Sequence, residues 1–389
     1  MSEVDVVVIG GGLAGCAASY YLARDGARVA LLEKAELNRG ASGQNAGSLH
    51  FQLEFRMIEH GSRIAEQYAL AIPLNLDAIS TWASLEDELG LPLEVHQRGG
   101  LMVAESDEEL DALTRKHALE REHGLPTEMI TGDEARNLEP GLSTSIVGAA
   151  YASAEGHANA RLVAPSFAAA AARRGVAIRP HTRVVGLTRR GGRWRATLSN
   201  GEEVASETVV VAAGTWSAEL LAMTDVRIPL VPVALTMLAT AAAVPIVSHL
   251  IQHAGRRLSL KQAGDGNVLV GGGWPAQLVH SRGRIDLDQR PRFRFDSIVG
   301  SAATAVRVVP AVGSLALIRA WTGTTAVSAD GIPLFGEVPR RPGLFLIAGS
   351  GFVRAPTLAR ELSRLILAGA TSFDLGLYSP TRFAHLNFR

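Results

Sequence analysis

The sequence predicts an α/β fold in which a domain with a parallel sheet is interleaved with an α+β domain built on a mostly antiparallel sheet. Three observations support this prediction. Residues 4–33 read as a strand, a glycine-rich turn, a helix and a second strand. Apolar strands of the same kind return at residues 209–211 and 344–348. Between these returns, residues 228–274 are rich in short strands and contain the turn sequence G-D-G-N, which is typical of antiparallel hairpins.

The first strand and its turn form a nucleotide-binding pattern. Residues 4–9 are β-branched and apolar without polar alternation, as expected for a parallel strand buried on both faces. The turn after it fits G-x-G-x-x-G. In this pattern Gly10 makes the tight turn, Gly12 lets the backbone approach a pyrophosphate, and Gly15 lets the next helix pack closely on the strand. The N-terminus of that helix would direct N–H groups and a positive dipole at the phosphates.

The elements after the turn complete a Rossmann-type unit. Residues 16–24 predict a helix, Gly26 is placed to end it, and residues 29–32 predict the next strand. Glu33 follows Gly15 by 18 positions, close to the spacing of an acid that accepts hydrogen bonds from ribose hydroxyls. A glycine-rich turn in an ordinary α/β unit would leave Glu33 unexplained, so we predict a dinucleotide site. The pattern alone does not distinguish FAD from NAD.

Composition narrows the class of protein. The chain has 389 residues, 47% of them hydrophobic and 20% charged, enough for a large core and two domains. A formal net charge of +0 gives no reason to expect a nucleic-acid partner. The single cysteine, Cys16, fits a reducing compartment, and we expect it to be a small packed residue.

The sequence shows no membrane signal. The N-terminus leads directly into the first strand without a basic leader, and the apolar runs at 164–172 and 230–247 are short or broken by proline. We therefore expect a cytoplasmic protein without direct membrane insertion.

A family resemblance appears at residues 40–47, which read G-A-S-G-Q-N-A-G. Together with the N-terminal turn, this segment resembles the D-amino acid oxidase superfamily of FAD enzymes, which includes glycine and sarcosine oxidases. Residues 209–217 (VVVAAGTWS), 321–336 (W-T-G through D-G-I-P-L-F-G) and 344–351 (LFLIAGSG) resemble later segments of the family. The resemblance implies a glutathione-reductase-like FAD domain and a substrate domain.

The domains are expected to exchange the chain more than once. We assign residues 1–55, 150–225 and 320–389 to the FAD-binding domain, and residues 56–149 and 226–319 to the substrate domain. Within the substrate domain we expect a helical stretch at 56–89, a strand at 99–104, a solvated charged helix at 107–123 and a helix at 292–309.

The expected FAD-binding residues come from the turn and from the resemblance. They are Gly10, Gly12, Leu13, Ala14, Gly15, Glu33, Lys34, Ala41, Ser42, Asn45, Ala46, Gly47, Val184, Gly214, Trp216, Gly349 and Gly351. The family usually has a valine at the place of Val184 whose backbone bonds adenine, although a simple core valine is nearly as good an interpretation. Asn45 stands where some relatives link flavin to a histidine, so we expect non-covalent FAD. No metal site is predicted.

The resemblance implies hydride removal from a carbon that bears a neutral amine, giving an imine. The substrate would be an amino acid or secondary amine of the D-amino acid, glycine or sarcosine, hydroxyproline or opine type. His50 is expected near the flavin for acid–base work, oxygen activation or charge balance, unless it is a hydrogen-bonded core histidine. Lys261, on a predicted substrate-domain strand, is a further candidate for the cleft.

The residue that would hold a substrate carboxylate departs from the family pattern. Relatives place an arginine soon after W-x-G, where this chain has Thr324 and Thr325. Arg319, Arg354 and Arg56 are the candidates to replace it, although each would also fit a surface or structural ion pair.

The electron acceptor is left open between two versions. The protein would be an oxidase that uses O₂, or the FAD subunit of a multi-subunit dehydrogenase, which the missing arginine favours. One cysteine excludes an iron–sulfur cluster in this chain, so a second subunit would carry any electron relay. A homo-oligomer, a catalytically silent FAD-binding subunit and a NAD-binding dehydrogenase are the alternatives.

Overall fold

The computed structural model describes residues 4–55, 61–374 and 376–387. The strands are β1 Val6–Ile9, β2 Val29–Leu32, β3 Ser48–Leu49, β4 Gly100–Ala104, β5 Glu128–Thr131, β6 Gly148–Ala152, β7 Gly156–His157, β8 Ala177–Arg179, β9 Val184–Arg190, β10 Arg193–Leu198, β11 Glu203–Ser206, β12 Thr208–Val211, β13 Leu230–Ala242, β14 Leu250–His253, β15 Ser259–Gln262, β16 Asn267–Gly271, β17 His280–Ser281, β18 Arg284–Ile285, β19 Leu317–Ser328, β20 Leu334–Glu337 and β21 Leu344–Ala348.

The α-helices are α1 Leu13–Arg24, α2 Ala41–Gln44, α3 Ser62–Ala69, α4 Ile72–Leu89, α5 Asp107–Glu122, α6 Gly132–Leu138, α7 Ala160–Arg173, α8 Ser217–Ala222, α9 Phe295–Val308 and α10 Ala355–Ala368. Short 3₁₀ helices span Gly214–Trp216, Pro310–Ser314, Gly376–Tyr378 and Pro380–Asn387.

The predicted parallel sheet is present and has six strands in the order β20-β21-β12-β1-β2-β8. Its pairs are parallel except for β20 with β21. All four residues of β1 are buried, which explains why its sequence has no polar alternation. The carboxyl ends of β1, β2 and β12 therefore lie side by side at one edge of the sheet.

Two layers cover this sheet. Helices α1, α4, α7 and α10 contribute to the core on one face, where Tyr20 and Phe167 meet edge to face at 5.7 Å between ring centroids. Cys16 is buried in this layer, and burial raises the pKa of its thiol to about 12, as expected for a packed residue. On the other face, the antiparallel sheet β9-β10-β11 packs its buried Trp194 against the parallel strands.

The second sheet has eight strands in the order β19-β13-β16-β15-β14-β4-β6-β5. Its pairs are antiparallel apart from β14 with β4, in agreement with the predicted mostly antiparallel sheet. Helices α6 and α9 contribute to the core on one face, and α5 packs Leu113 against Met102 and Ala150 on the other.

Two of the predicted domain boundaries fall inside strands of the eight-stranded sheet. Strand β6 contains residue 150 and strand β19 contains residue 320, and both strands belong to the eight-stranded sheet. The division of the chain into two domains stays a prediction. Of the expected helical stretch at 56–89, residues 56–60, including Arg56, lie outside the described residues, and α3 and α4 account for most of the remainder.

Helix α5 corrects one expectation. We predicted a solvated helix, but Lys116 and Glu120 have 0% exposed surface on its inner side. Lys116 Nζ lies 2.7 Å from Glu120 Oε1 and 2.8 Å from Gln52 Oε1. The two charges can be buried because each one compensates the other within a single turn of helix.

This buried pair holds the segment that follows His50. Glu120 accepts a hydrogen bond from the Leu53 N–H at 2.7 Å. Glu155 accepts from the N–H groups of Phe51 and Gln52 at 2.8 and 2.9 Å, and burial raises the pKa of Glu155 to about 7. Residues 51–53 are thereby fixed by side chains from distant parts of the chain.

The pair gives a first testable prediction. Lys116→Met should lower the free energy of unfolding by about 3–5 kcal/mol, because Glu120 would be left as an uncompensated buried charge. Arg115→Met, at the exposed neighbouring position, should change it by less than about 0.5 kcal/mol. Denaturant unfolding of both variants measures the difference, and equal stabilities would contradict the role given to the pair.

Candidate active site

A cavity of about 830 Å³ runs from the glycine turn after β1 to the wall formed by β13 and β19. Most of the predicted cofactor-binding residues line it: Gly10, Gly12, Leu13, Ala14, Glu33, Lys34, Ala41, Ser42, Asn45, Val184, Gly214, Trp216, Gly349 and Gly351. Gly15, Ala46 and Gly47 are not in its lining. The fold thus brings together residues that are more than three hundred positions apart in the chain.

The three glycine positions of the turn require glycine for different reasons. Gly10 has a φ of +115°, and a Cβ there would lie 2.5 Å from the Ala212 carbonyl oxygen. A Cβ on Gly15 would lie 1.8 Å from the carbonyl oxygen of Gly10. A Cβ on Gly12 would meet only the Ser42 side chain, at 3.0 Å from Oγ. Gly10 and Gly15 are therefore needed for packing, whereas Gly12 keeps open the space in front of the helix.

That space is suited to a phosphate group. Helix α1 begins at Leu13, and its N-terminal cap Gly12 has no side chain to satisfy the first N–H groups. The Leu13 N–H donates to Ser42 Oγ at 2.9 Å, so α2 places a hydroxyl beside the helix end. An unoccluded helix N-terminus together with this hydroxyl can hold a pyrophosphate.

Glu33 borders the same end of the cavity. Its Oε2 accepts from the Gly11 N–H at 2.6 Å, and its Oε1 accepts from the Ala35 N–H at 2.8 Å. Each carboxylate oxygen has a second lone pair, so the fixed carboxylate can also accept from ribose hydroxyls. Val184, at the start of β9, lines this end as well.

The far end of the cavity lies between the two sheets. Gly349 and Gly351, which follow β21, have φ values of +66° and +67°. The wall at this end is formed by Leu235 and Met237 of β13 and by residues 323–326 of β19. Sequence reasoning missed the two β13 residues, because alternation along a strand does not reveal which face meets a cavity.

The indole of Trp216 indicates that the cavity binds a ligand with a hydrogen-bond acceptor. Its indole Nε1 is buried and has no hydrogen-bond partner among the described residues, although Trp216 lines the cavity. A buried indole N–H normally finds an acceptor, so a bound ligand would account for it. The glycine cradle, the helix end, Glu33 and this N–H together fit FAD.

His50 lies behind the cavity wall rather than in it. Its Nε2 is 2.8 Å from Ser259 Oγ, which is 3.0 Å from Ser48 Oγ. The other ring nitrogen is buried without a partner among the described residues. Burial, reinforced by the charge of Lys261, lowers the pKa of His50 to about 3, so the ring is neutral.

Lys261 is buried beside the same segment. Its Nζ lies 3.4 Å from the Ala158 carbonyl oxygen, and a Cβ on Gly47 would lie 3.0 Å from it. The side chain therefore reaches the back of the turn that follows the cavity-lining Asn45. Burial lowers the pKa of Lys261 to about 7.

Two of the candidate arginines, Arg319 and Arg354, do not line the cavity. Arg319 is exposed, with its guanidinium 5.7 Å from the centre of the Trp321 ring. Arg354 donates from Nε to Asn75 Oδ1 at 2.7 Å, toward α4. Neither lines the cavity, whereas Thr324 and Thr325 do. The part of β19 that lines the cavity is therefore uncharged at Thr324 and Thr325, the place where relatives are expected to have an arginine.

The match to known proteins is extensive. Residues 5–365 match the family model described as DAO, FAD dependent oxidoreductase. This chain belongs to that family. It is 28% identical to a glycine oxidase of Geobacillus kaustophilus (97% of each chain) and 30% identical to an opine oxidase subunit of Rhizobium meliloti (98% of each). The crystal structure of the glycine oxidase from Geobacillus kaustophilus superposes with a TM-score of 0.86 at 27% identity, covering 98% of this chain and 99% of the other.

These matches confirm the predicted family, the fold and the FAD cofactor. The protein is an FAD-dependent oxidoreductase that acts on amino acids or amines. Within the described ranges, no helix is both long and apolar enough to cross a bilayer. The same residues contain no group of three or more His, Cys, Asp or Glu arranged to hold a metal ion.

Gly12→Val tests the assignment of the phosphate end. The valine side chain would fill the space before α1 without meeting backbone, so the protein should fold but retain FAD roughly tenfold or more weakly. Gly264→Val, at a turn position with open space, is the matched control. Flavin absorbance per protein after gel filtration measures retention, and normal flavin content in Gly12→Val would refute the assignment.

Lys261 predicts a pH dependence of stability. Its pKa is lowered from 10.5 to about 7, so between these values the unfolded chain binds more protons than the folded one. This lysine should therefore make the free energy of unfolding rise between pH 7 and pH 9, by on the order of 1–2 kcal/mol.

Denaturant unfolding at the two pH values, in the native protein and in Lys261→Met, isolates this contribution. The rise should be smaller in the variant by that amount. If the free energy of unfolding rose equally in both proteins, burial would not lower the pKa of Lys261.

Proposed function

We propose that this enzyme oxidises the C–N bond of an amino acid or secondary amine and passes the electrons to a partner subunit. The observation that carries the proposal is the uncharged far wall of the cavity, which Leu235, Met237, Thr324 and Thr325 form together with the glycine turn after β21. The substrate would lie in this part of the cavity. It would lose a hydride from carbon and a proton from nitrogen, leaving an imine for water to hydrolyse.

Residues of this chain would hold FAD along the cavity. Gly12, Ser42 and the N-terminus of α1 would hold the pyrophosphate, and Glu33 would hold the ribose. When bound, FAD supplies the hydride acceptor of the reaction. The backbone near Gly349 and Gly351 and the N-terminus of α10 would stabilise negative charge at the ring.

The two buried basic residues, His50 and Lys261, are suited to different roles near the flavin. His50 is neutral and keeps one ring nitrogen unpaired among the described residues, so it is unsuited to hold a fixed positive charge. Lys261, whose pKa burial lowers to about 7, is partly protonated near neutral pH. We propose that Lys261 balances the charge of the cofactor and that His50, through Ser259, positions the strand that carries Lys261.

The relatives support two versions of electron transfer. The opine oxidase subunit and the beta subunit of a sarcosine oxidase, both of Rhizobium meliloti, are by their names parts of larger assemblies. The glycine oxidases among the relatives favour the second candidate, a self-sufficient oxidase. The uncharged β19 wall favours the first, because it lacks the arginine that glycine- and D-amino-acid-oxidising relatives are expected to have there.

Anaerobic bleaching of the flavin absorbance tests the proposal. The panel contains glycine, sarcosine, D-amino acids, proline derivatives and opines, and we expect one of these classes to bleach the flavin within seconds. Slow recovery on admitting air would support a partner acceptor, and fast recovery the oxidase. A flavin that no compound of the panel reduces would contradict the proposal and favour the silent subunit.

Thr325→Val tests the placement of the substrate. It keeps the side-chain volume but removes a hydroxyl from the cavity wall, so bleaching by the active compound should slow by roughly 2–10-fold with FAD content unchanged. Thr114→Val, on the exposed side of α5, should leave the rate unchanged. Equal rates in the two variants would place the substrate elsewhere.

A further inference from the structure

One segment of the second sheet's domain crosses to the nucleotide end of the cavity. Residues 277–292, which we name the covering loop, are closed at their base by two backbone hydrogen bonds between Gln277 and Arg292, at 2.9 and 2.8 Å. The Thr322 hydroxyl donates to the Pro291 carbonyl oxygen at 2.7 Å, which anchors the base to β19. The loop is therefore firmly attached at its base.

The tip of the covering loop is held by the other domain's residues. Asp288 Oδ1 lies 2.5 Å from Lys34 Nζ, and its Oδ2 lies 2.8 Å from Arg183 Nη2. Lys34 follows the ribose-binding candidate Glu33, and Arg183 precedes Val184. Lys34 Nζ also lies 3.5 Å from the centre of the Trp216 ring. One carboxylate thus connects two cations that belong to the rim of the nucleotide site.

The covering loop forms part of the cavity wall. Its residues 287–291 line the cavity, as do Glu33 and Val184 of the nucleotide end. A hydrogen bond from the Asp288 N–H to Asp286 Oδ1, at 3.1 Å, shapes the tip that presents the Asp288 carboxylate to Lys34 and Arg183. A ligand that fills the nucleotide end therefore lies against the loop.

The ion pairs of Asp288 with Lys34 and Arg183 can both hold the covering loop and open. Burial alone would raise the pKa of Asp288, but hydrogen bonds from Lys34 and Arg183 outweigh it and lower the pKa, so the carboxylate stays ionised. The side chains of Asp288 and Arg183 are about half exposed, at 48% and 46%. Exposed ion pairs are individually weak and are screened by salt.

We propose that the covering loop retains FAD by closing the nucleotide end of its site, with Asp288 as the positioning residue that holds it shut. FAD leaves after Asp288 separates from Lys34 and Arg183, and the loop swings on its Gln277–Arg292 base. The ligand class is an adenine dinucleotide, and the role concerns retention of the cofactor, independently of the substrate that the enzyme oxidises.

The test is the dissociation rate of FAD from the holoenzyme, followed by the fluorescence of released flavin after dilution. Asp288→Asn keeps the shape of the side chain but removes its charge, and it should raise the rate roughly 3–30-fold. Arg183→Gln breaks the same contact from the other side and should raise the rate in the same direction. Asp296→Asn, which breaks an exposed pair with Arg294 outside the cavity, is the matched control and should change nothing.

The salt dependence of the FAD dissociation rate distinguishes this role of Asp288 from a purely structural one. The rate for the native protein should rise between about 0.05 and 0.5 M NaCl by roughly the factor that Asp288→Asn produces at low salt, because screening weakens the same contact. The variant should show little further rise. Unchanged dissociation in both Asp288→Asn and Arg183→Gln, or an equal salt response in native protein and variants, would overturn the proposal.

Discussion

The close approach of α1 to β1 is the constraint on which the rest of the site depends. Because Gly15 has no Cβ, the helix can start against the carbonyl oxygen of Gly10 at the carboxyl end of β1. This contact brings the N-terminus of α1 to the edge where Glu33 follows β2 and Gly214 comes shortly after β12. The nucleotide end of the cavity is the space that this arrangement leaves open.

Polar contacts from distant residues hold residues 51–53 and helix α2. Residues 51–53 are fixed by Glu155 and by the buried pair of Lys116 and Glu120. The Trp321 indole donates to the Gln44 carbonyl oxygen at 2.8 Å, which ties β19 to the helix that carries Ser42. Hydrogen bonds are directional, so these contacts fix the positions of both segments more narrowly than apolar packing would.

The sequence was informative where local rules apply. Strand β2 has the predicted bounds, and α1 begins only three residues earlier than predicted, because apolar runs, the glycine turn and the end of a helix are short-range signals. The uncharged slot at Thr324 and Thr325 was also visible in the sequence, since it follows the W-x-G pattern directly. These features can be predicted without knowing which distant residues pack against them.

Features that depend on distant partners were not predictable. Lys116 was expected at the surface because a charged residue reveals nothing of Gln52, 64 residues away. His50 meets Ser259 across 209 residues, and Asp288 meets Lys34 across 254. No periodicity marks such contacts, so the orientation of His50, the placement of the arginines and the covering loop required the folded structure.

The most direct test of the central claim is a crystal structure of the FAD complex. The pyrophosphate is predicted at the N-terminus of α1 beside Ser42, with the ribose at Glu33 and the flavin ring between the Gly349–Gly351 turn and the wall of β13 and β19. A pyrophosphate bound away from α1, or a flavin ring outside the space between the two sheets, would contradict the account.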